Sequence, residues 1–169
     1  MLLQLKDVFL SEGERLEVSY SLPMHDIDIN GDYPFKSPVE ITAAAANRAG
    51  LVELEVKAVF DYTARCDRCF EELVKHMEYT FTHGLASELM DDENDDYIET
   101  PDFTLELDEV VISDILLNLP SKNLCREDCR GLCPKCGANL NLEKCGCSSE
   151  AADPRLEILK QLLDNNQYN

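Results

Sequence analysis

The residues with the most specific chemistry in this chain are its eight cysteines. Six of them fall in CREDCRGLCPKCGANLNLEKCGC, residues 125–147, and the other two, Cys66 and Cys69, form CDRC in the middle of the chain. In Cys133-Pro-Lys-Cys136-Gly, two thiolates two residues apart can grip one tetrahedral ion from a tight turn. The glycine after the second cysteine permits the backbone shape such a turn needs. Cys145 and Cys147 lie a short loop away, so Cys133, Cys136, Cys145 and Cys147 together offer four sulfurs to one zinc. Closed four-thiolate zinc sites are structural. By remainder, Cys66, Cys69, Cys125 and Cys129 would form a second four-thiolate zinc site, fixing the CDRC stretch to the start of the cysteine-rich segment. Spacing alone does not force distant pairs together, and a partition in which Cys129 joins Cys133 and Cys136 stays open.

Other thiol chemistries compete with this reading. An even cysteine count fits a disulfide framework. The stretch LLQLKDVFLSEGE after Met1, however, has neither a basic start nor a long apolar run, and no stretch approaches the length of a membrane span. The expectation is a cytoplasmic chain without a leader, in a reducing compartment where paired cysteines more often mean metal than disulfide. CDRC has the spacing of a thioredoxin-like redox pair but lacks the strand-then-helix context, since a strand follows it. Cys129, Cys133 and Cys136 match the C-x3-C-x2-C spacing of radical enzymes that use S-adenosylmethionine and an iron–sulfur cluster. Those enzymes need a large barrel, and too few residues follow Cys136 to build one. A redox-regulated zinc chaperone is a further alternative, in which oxidation of surface thiolates releases the ion and unfolds the segment.

Charge narrows the partner. The net charge is -19, which disfavours non-specific binding to a phosphate backbone and makes a basic partner the natural complement. No Lys or Arg occurs between His76 and Ser121. The dense acidic part, residues 88–102, reads as a loop, and Asp91, Asp92, Glu93, Asp95 and Asp96 in it are candidates for receiving a basic partner. Lys122, Arg126, Arg130, Lys135 and Lys144 make the cysteine-rich segment locally more basic. These residues fit compensation of thiolate charge, and alternatively a small patch facing RNA. His25, His76 and His83 do not cluster as metal ligands do. No phosphate-binding glycine loop and no nucleophile motif is present, so no enzymatic activity is expected.

The elements that must carry the cysteines follow from periodicity. Leu16, Val18, Tyr20 and Leu22 alternate with polar residues and predict a strand, with HDIDIN (25–30) a weaker strand closed by Asn30-Gly31. The rest of residues 1–35 shows no clear organisation. VEITAAAA (39–46) is assigned as strand despite its alanines, and Asn47 to Gly50 as a turn. From Val52 to Ala64 every even position is apolar or aromatic, the pattern of a long half-buried antiparallel strand. Leu73, Met77, Tyr79 and Phe81 mark its return, which puts Cys66 and Cys69 at or beside the tip of a hairpin. FTLEL (103–107) alternates again. Residues 108–119 form a helix with the apolar stripe Val111, Ile112, Ile115, Leu116 and Leu119, ended by Pro120. A closing helix over 153–163 starts from Asp153 and Pro154.

At this point the chain resembles the bacterial YceD family, named for large-subunit ribosomal RNA accumulation. The matching stretches are CDRCFEEL (66–73), ILLNLP (115–120), LCREDCRGLCPKCGANLN (124–141), CGC (145–147) and DPRLEILKQLL (153–163). The resemblance implies a non-enzymatic cytosolic factor needed for normal levels of 23S ribosomal RNA, often encoded beside a small basic protein of the large subunit. It supplies no catalytic residue, and its cysteine pairs fall on the eight positions named above. Combined with the acidity, it leads to a factor that holds a newly made basic large-subunit protein, with direct binding of precursor ribosomal RNA as the alternative. The fold class expected is α+β, with a mainly antiparallel β-sheet, a helix, a zinc-ribbon-like segment and a closing helix. Residues 1–120 form the sheet domain, and residues 121–169 the zinc-binding segment with the closing helix.

Overall fold

The computed structural model describes residues 1–88 and 97–147. They divide into two compact units, one of residues 1–67 and 71–125, the other of residues 68–70 with the chain from 126 onward. The fold is α+β with a mostly antiparallel sheet, as the alternating segments require.

The first unit is built on a five-stranded sheet of order β2-β3-β4-β5-β6. Its strands are β2 (Arg15–Leu22), β3 (Val39–Arg48), β4 (Leu51–Arg65), β5 (Glu72–Ala86) and β6 (Tyr97–Glu99). In β4, Val52, Leu54, Val56, Ala58, Phe60 and Tyr62 are buried and the intervening Glu53, Glu55, Lys57 and Asp61 are exposed. Burying that row removes its apolar area from water at about 25 cal/mol per Å². The alanines of β3 are held in a strand although alanine favours helix, because both neighbours claim their backbone groups. Ala43 lies between Val18 and Val56, and Ala45 between Leu16 and Leu54. The β3–β4 turn uses two successive left-handed residues, Ala49 (φ 53°) and Gly50 (φ 84°), the twist a tight hairpin favours.

Two smaller elements complete this unit, and the alternation of the sequence does not reveal them. β1 (Leu2–Gln4) pairs antiparallel with β7 (Thr104–Glu106), and the one-turn helix α1 (Lys6–Leu10) follows β1. Leu3, Leu5 and Val8 are buried by this arrangement. The N-terminal stretch that shows no clear organisation by periodicity is therefore part of the core. A three-residue strand and a five-residue helix are too short to display a period.

HDIDIN is not a strand. Asn30 (φ 56°) and Gly31 (φ 87°) fold it back on itself, leaving a single bridge between Ile29 and Asp32. The loop expected over 88–102 is also corrected where the structure describes it. Tyr97–Glu99 forms β6, which pairs parallel to the end of β5, and Pro101–Phe103 makes a 3-10 turn. The fully buried Thr100 fixes this segment, its N–H and hydroxyl both donating to the Ala86 carbonyl at 2.8 and 2.9 Å. Asp91, Asp92, Glu93, Asp95 and Asp96 lie outside the described residues, as does the closing helix expected over 153–163.

The helix α2 (Leu107–Asn118) begins one residue earlier than the periodicity predicts and buries Leu107, Val111 and Ile115. Leu116 and Leu117 remain exposed, so the apolar stripe is narrower than the sequence suggests. α2 and β2 are tied together by the Tyr20 hydroxyl, which donates to Asp108 Oδ1 at 2.6 Å.

The second unit is different in kind. Among its described residues in 126–147 only Cys129, Gly131 and Cys133 are buried. Among the described residues it has no apolar core to set against the entropy of ordering its loops.

Candidate metal centres

The eight cysteines are brought together by short loops whose backbone bonds close on themselves. In CDRC, the Cys66 N–H donates to the Glu71 carbonyl at 2.8 Å, and Phe70 takes a left-handed conformation (φ 60°) that lets the chain turn back into β5. Asp67 and Asn123 then hold each other. The Asp67 N–H donates to the Asn123 carbonyl at 2.8 Å, and the Asn123 N–H donates to Asp67 Oδ2 at 2.7 Å. Asn123 stands two residues before Cys125, so this pair of hydrogen bonds holds the chain leading to Cys125 beside CDRC.

Arg68 does the equivalent for the next cysteine. Its guanidinium donates to the Cys129 carbonyl at 2.7 Å and to the Glu127 carbonyl at 3.3 Å, while its own carbonyl accepts the Leu132 N–H at 3.1 Å. Asn141 locks the same loop from the other side. Its Oδ1 accepts the Arg130 N–H and the Arg126 guanidinium, both at 2.8 Å, and its Nδ2 donates to Cys129 Sγ at 3.3 Å.

The turn at Cys133 and Cys136 is a tight knuckle. The Cys133 N–H donates to the Ala138 carbonyl at 2.8 Å, and the Gly137 N–H returns to the Cys133 carbonyl at 2.9 Å, with Gly137 at φ 74°. This is the backbone shape for which the glycine after Cys136 is required.

The result is two groups of four thiols. Cys66, Cys69, Cys125 and Cys129 form one, and Cys133, Cys136, Cys145 and Cys147 the other, with all sulfurs of a group within 4.8 Å of one another. Four sulfurs around a tetrahedral ion at bonds of about 2.3 Å stand about 3.8 Å apart, so each group is spaced as a metal would require. The donor sets contain sulfur alone, which suits a soft tetrahedral ion. Four protein ligands leave no open coordination position for substrate.

Electrostatics point the same way. Backbone N–H groups of Cys136 and Lys135 aimed at Cys133 lower its thiol to about 6. Cys147 is pushed up to about 12, by its hydrogen bond to Cys136, by burial, and by the negative charge of Cys136. Thiolates this close repel one another, and a bound cation is what allows all four to ionise together.

Among the described residues no histidine joins such a group. His76 is largely exposed and pairs with Asp61 across the hairpin at 2.9 Å. His83 Nε2 stands 2.7 Å from Asp114 Oδ2, linking β5 to α2. Of the basic residues of the segment, Arg126 is engaged by Asn141 and by Asp128, the latter at 3.4 Å. Sequence reasoning misses Arg68, Asn123 and Asn141, because a loop residue that positions a ligand carries no period. The one available signal is their place within four residues or so of a cysteine or in the ANLN run after the Cys136 knuckle.

The family model for the large ribosomal RNA subunit accumulation protein YceD matches residues 54–163, which span both thiol groups. The chain belongs to the YceD family. It is 28% identical over 166 residues to the large ribosomal RNA subunit accumulation protein YCED homolog 1, chloroplastic, of Arabidopsis thaliana, covering 80% of this chain and 52% of that one. It is 33% identical over 102 residues to an uncharacterized protein of Mycobacterium tuberculosis, covering 58% of this chain and 49% of the relative. A Mycobacterium leprae protein, also uncharacterized, is 30% identical over 104 residues, with 59% and 48% covered. The chain spans about half the length of the curated relatives it matches. No solved structure matches it. Among the described residues no helix is long and apolar enough to cross a membrane.

Proposed function

We propose that this member of the YceD family is a non-enzymatic, cytoplasmic ribosome-biogenesis factor that supports accumulation of 23S ribosomal RNA by holding a basic protein of the large subunit. Each four-thiolate group carries one structural zinc. The observation that carries the reading is the charge of -19, in a family named for an RNA that a chain of this sign repels. A factor of that composition acts on ribosomal RNA most simply through one of the basic proteins that cover it. Loss of delivery would leave RNA unfinished and open to degradation. The acidic residues Asp91, Asp92, Glu93, Asp95 and Asp96 are the proposed receiving surface.

Zinc is preferred over an iron–sulfur cluster because the knuckle-type Cys133-Pro-Lys-Cys136-Gly turn, with its pair completed a short loop later, has the spacing of structural zinc ribbons.

A tagged pull-down from the native cell, divided and treated with or without ribonuclease, tests the partner. A small basic ribosomal protein retained after ribonuclease, and released by a few hundred millimolar salt, is the expected result. Loss of every ribosomal component on ribonuclease treatment would replace this reading with direct contact to precursor RNA through Lys122, Arg126, Arg130, Lys135 and Lys144.

A further inference from the structure

The sheet of the first unit leaves a long edge open. β5 has 15 residues, and β6 pairs only with Gly84, Leu85 and Ala86. Among the described residues no strand pairs with Glu72 to His83 on that side. The Ala86 carbonyl accepts the Thr100 N–H on the β6 side at 2.8 Å. Backbone groups alternate along a strand, so the N–H and C=O groups of Val74, His76, Glu78, Thr80 and Thr82 point out of this same edge.

Proline and a bulge, two of the usual protections of an edge, are missing from it. β5 contains no proline, and its pairing with β4 runs without a bulge from Glu72 to Leu85. Its one lysine, Lys75, is turned to the inner face and donates to Asn123 Oδ1 at 3.0 Å. The apolar row beside the edge is also unfinished. Met77, Tyr79 and Phe81 are only partly buried, whereas their β4 partners Phe60, Ala58 and Val56 are buried. One more strand would cover them.

Charge selects what that strand is. Glu72 and Glu78 of β5, Glu53, Glu55 and Asp61 of β4 and Glu99 of β6 surround the edge, against Lys57 and Arg65. Lys57 and Glu78 pair with each other at 2.7 Å, Asp61 with His76 at 2.9 Å and Glu53 with Arg48 at 3.7 Å, and the charge around the edge remains negative in sum. The sequence from Met77 to Pro120, which includes β6 and α2, contains no Lys or Arg.

We propose that the β5 edge from Glu72 to His83 is a strand-addition site for an extended segment of another protein, in which basic residues alternate with apolar ones. The apolar side chains complete the row of Met77, Tyr79 and Phe81, the basic ones lie over the acidic solvent face, and the added backbone takes up the open N–H and C=O groups. For the sign of the partner's charge this rests on the function proposed above; the open edge stands without it.

The test uses two synthetic peptides of about ten residues, roughly the span of the edge. One alternates Lys with Val. The other is its backbone N-methylated counterpart, carrying the same side chains and charge with its N–H donors removed. Fluorescence anisotropy with the full metal-loaded chain should show the unmethylated peptide binding about tenfold or more tighter. Thr80→Pro removes an outward N–H without breaking the β4 ladder and should abolish the difference, while Thr80→Ala should leave it within about twofold. Equal binding of the two peptides to the wild-type chain overturns the proposal whatever the variants do. So does a dimer of the free chain that Thr80→Pro dissolves, which would give the edge to a second copy. Recovery of a basic ribosomal protein by Thr80→Pro at wild-type yield would overturn the edge while leaving the proposed function standing.

Discussion

Gly131 lies against the backbone of Arg68: a Cβ at residue 131 would stand 2.7 Å from the Arg68 carbonyl oxygen. That oxygen is also the acceptor for the Leu132 N–H, so it cannot withdraw without releasing the loop between Cys129 and Cys133. Gly131 has φ 74°, and so has Gly137, but a Cβ at Gly137 meets nothing within 4 Å. The pair therefore separates conformational strain from contact. Gly137→Ala should cost about 1 kcal/mol, the left-handed penalty alone. Gly131→Ala should cost more and should lower the chelator concentration that strips the metal several-fold further than Gly137→Ala does. Equal midpoints for the two variants in a chelator titration would mean the Arg68 contact is unimportant.

Asn47 joins α1 to the β3–β4 hairpin. Its Nδ2 donates to the Val8 carbonyl at 2.9 Å and the Phe9 carbonyl at 3.3 Å, and its Oδ1 accepts the Gly50 N–H at 3.0 Å. The side chain is buried, so removing it leaves the Val8 carbonyl without this partner in a buried place. Asn47→Ala should destabilise the first unit by about 2 kcal/mol in a denaturant titration. Asn47→Asp should be worse near neutral pH, because a carboxylate would face two carbonyl oxygens. An Asp variant as stable as the Ala variant at pH 7 would contradict this account.

The Tyr20–Asp108 bond gives the chain a dependence on alkaline pH. Burial and the Asp108 carboxylate both raise the Tyr20 hydroxyl above its ordinary value. The unfolded chain then loses this proton at a lower pH than the folded chain does. Its contribution to stability is complete below the unfolded tyrosine value of about 10 and is lost as pH rises toward the folded one. Tyr20→Phe should cost about 1–2 kcal/mol at neutral pH, for a lost bond to a charged acceptor. Stability against pH above about 10 should fall less steeply for the variant than for wild type. Parallel curves would show that the hydroxyl does not carry the effect.

What the sequence makes legible depends on the length of each signal. β4 repeats its alternation from Val52 to Tyr62, and no other structure satisfies that pattern. The grouping of Cys133, Cys136, Cys145 and Cys147 is written in close spacing, whereas Cys66 and Cys69 lie more than fifty residues from Cys125 and are joined to it by remainder. β6 is hidden because its position is held by the buried Thr100 on Ala86 rather than by a row of apolar side chains. β1 and β7 are hidden because each has three residues and is meaningful only when paired with the other. Asn141 is hidden for a third reason. It reads as an ordinary loop asparagine until Cys129 Sγ and the Arg130 N–H are both found on it.

Removal of metal should affect the two units differently. The first has a continuous core that includes Leu5, Phe35, Ile41, Leu54, Val56 and Ile115, all at most 1% exposed. Residues 126–147 bury no apolar side chain beyond Cys129 and Cys133. Closing a four-thiolate zinc site supplies about 10 kcal/mol at neutral pH, comparable to the whole stability of a small domain. The ribbon should therefore unfold when chelated, while the sheet retains its strand signal in circular dichroism. Limited proteolysis after chelation should cut within 126–147 and leave a resistant fragment containing β1 to α2. The ions should also leave in two steps. Cys136 and Cys147 are exposed, whereas Cys66, Cys69 and Cys129 are buried, so the Cys133 group should react first with a thiol-specific mercurial. Each step should release one zinc, read with a metal-sensitive dye, and Cys136→Ser should remove the fast step alone. A single-step release, or a ribbon that resists protease after both ions are gone, would show that its fold is held by something other than metal.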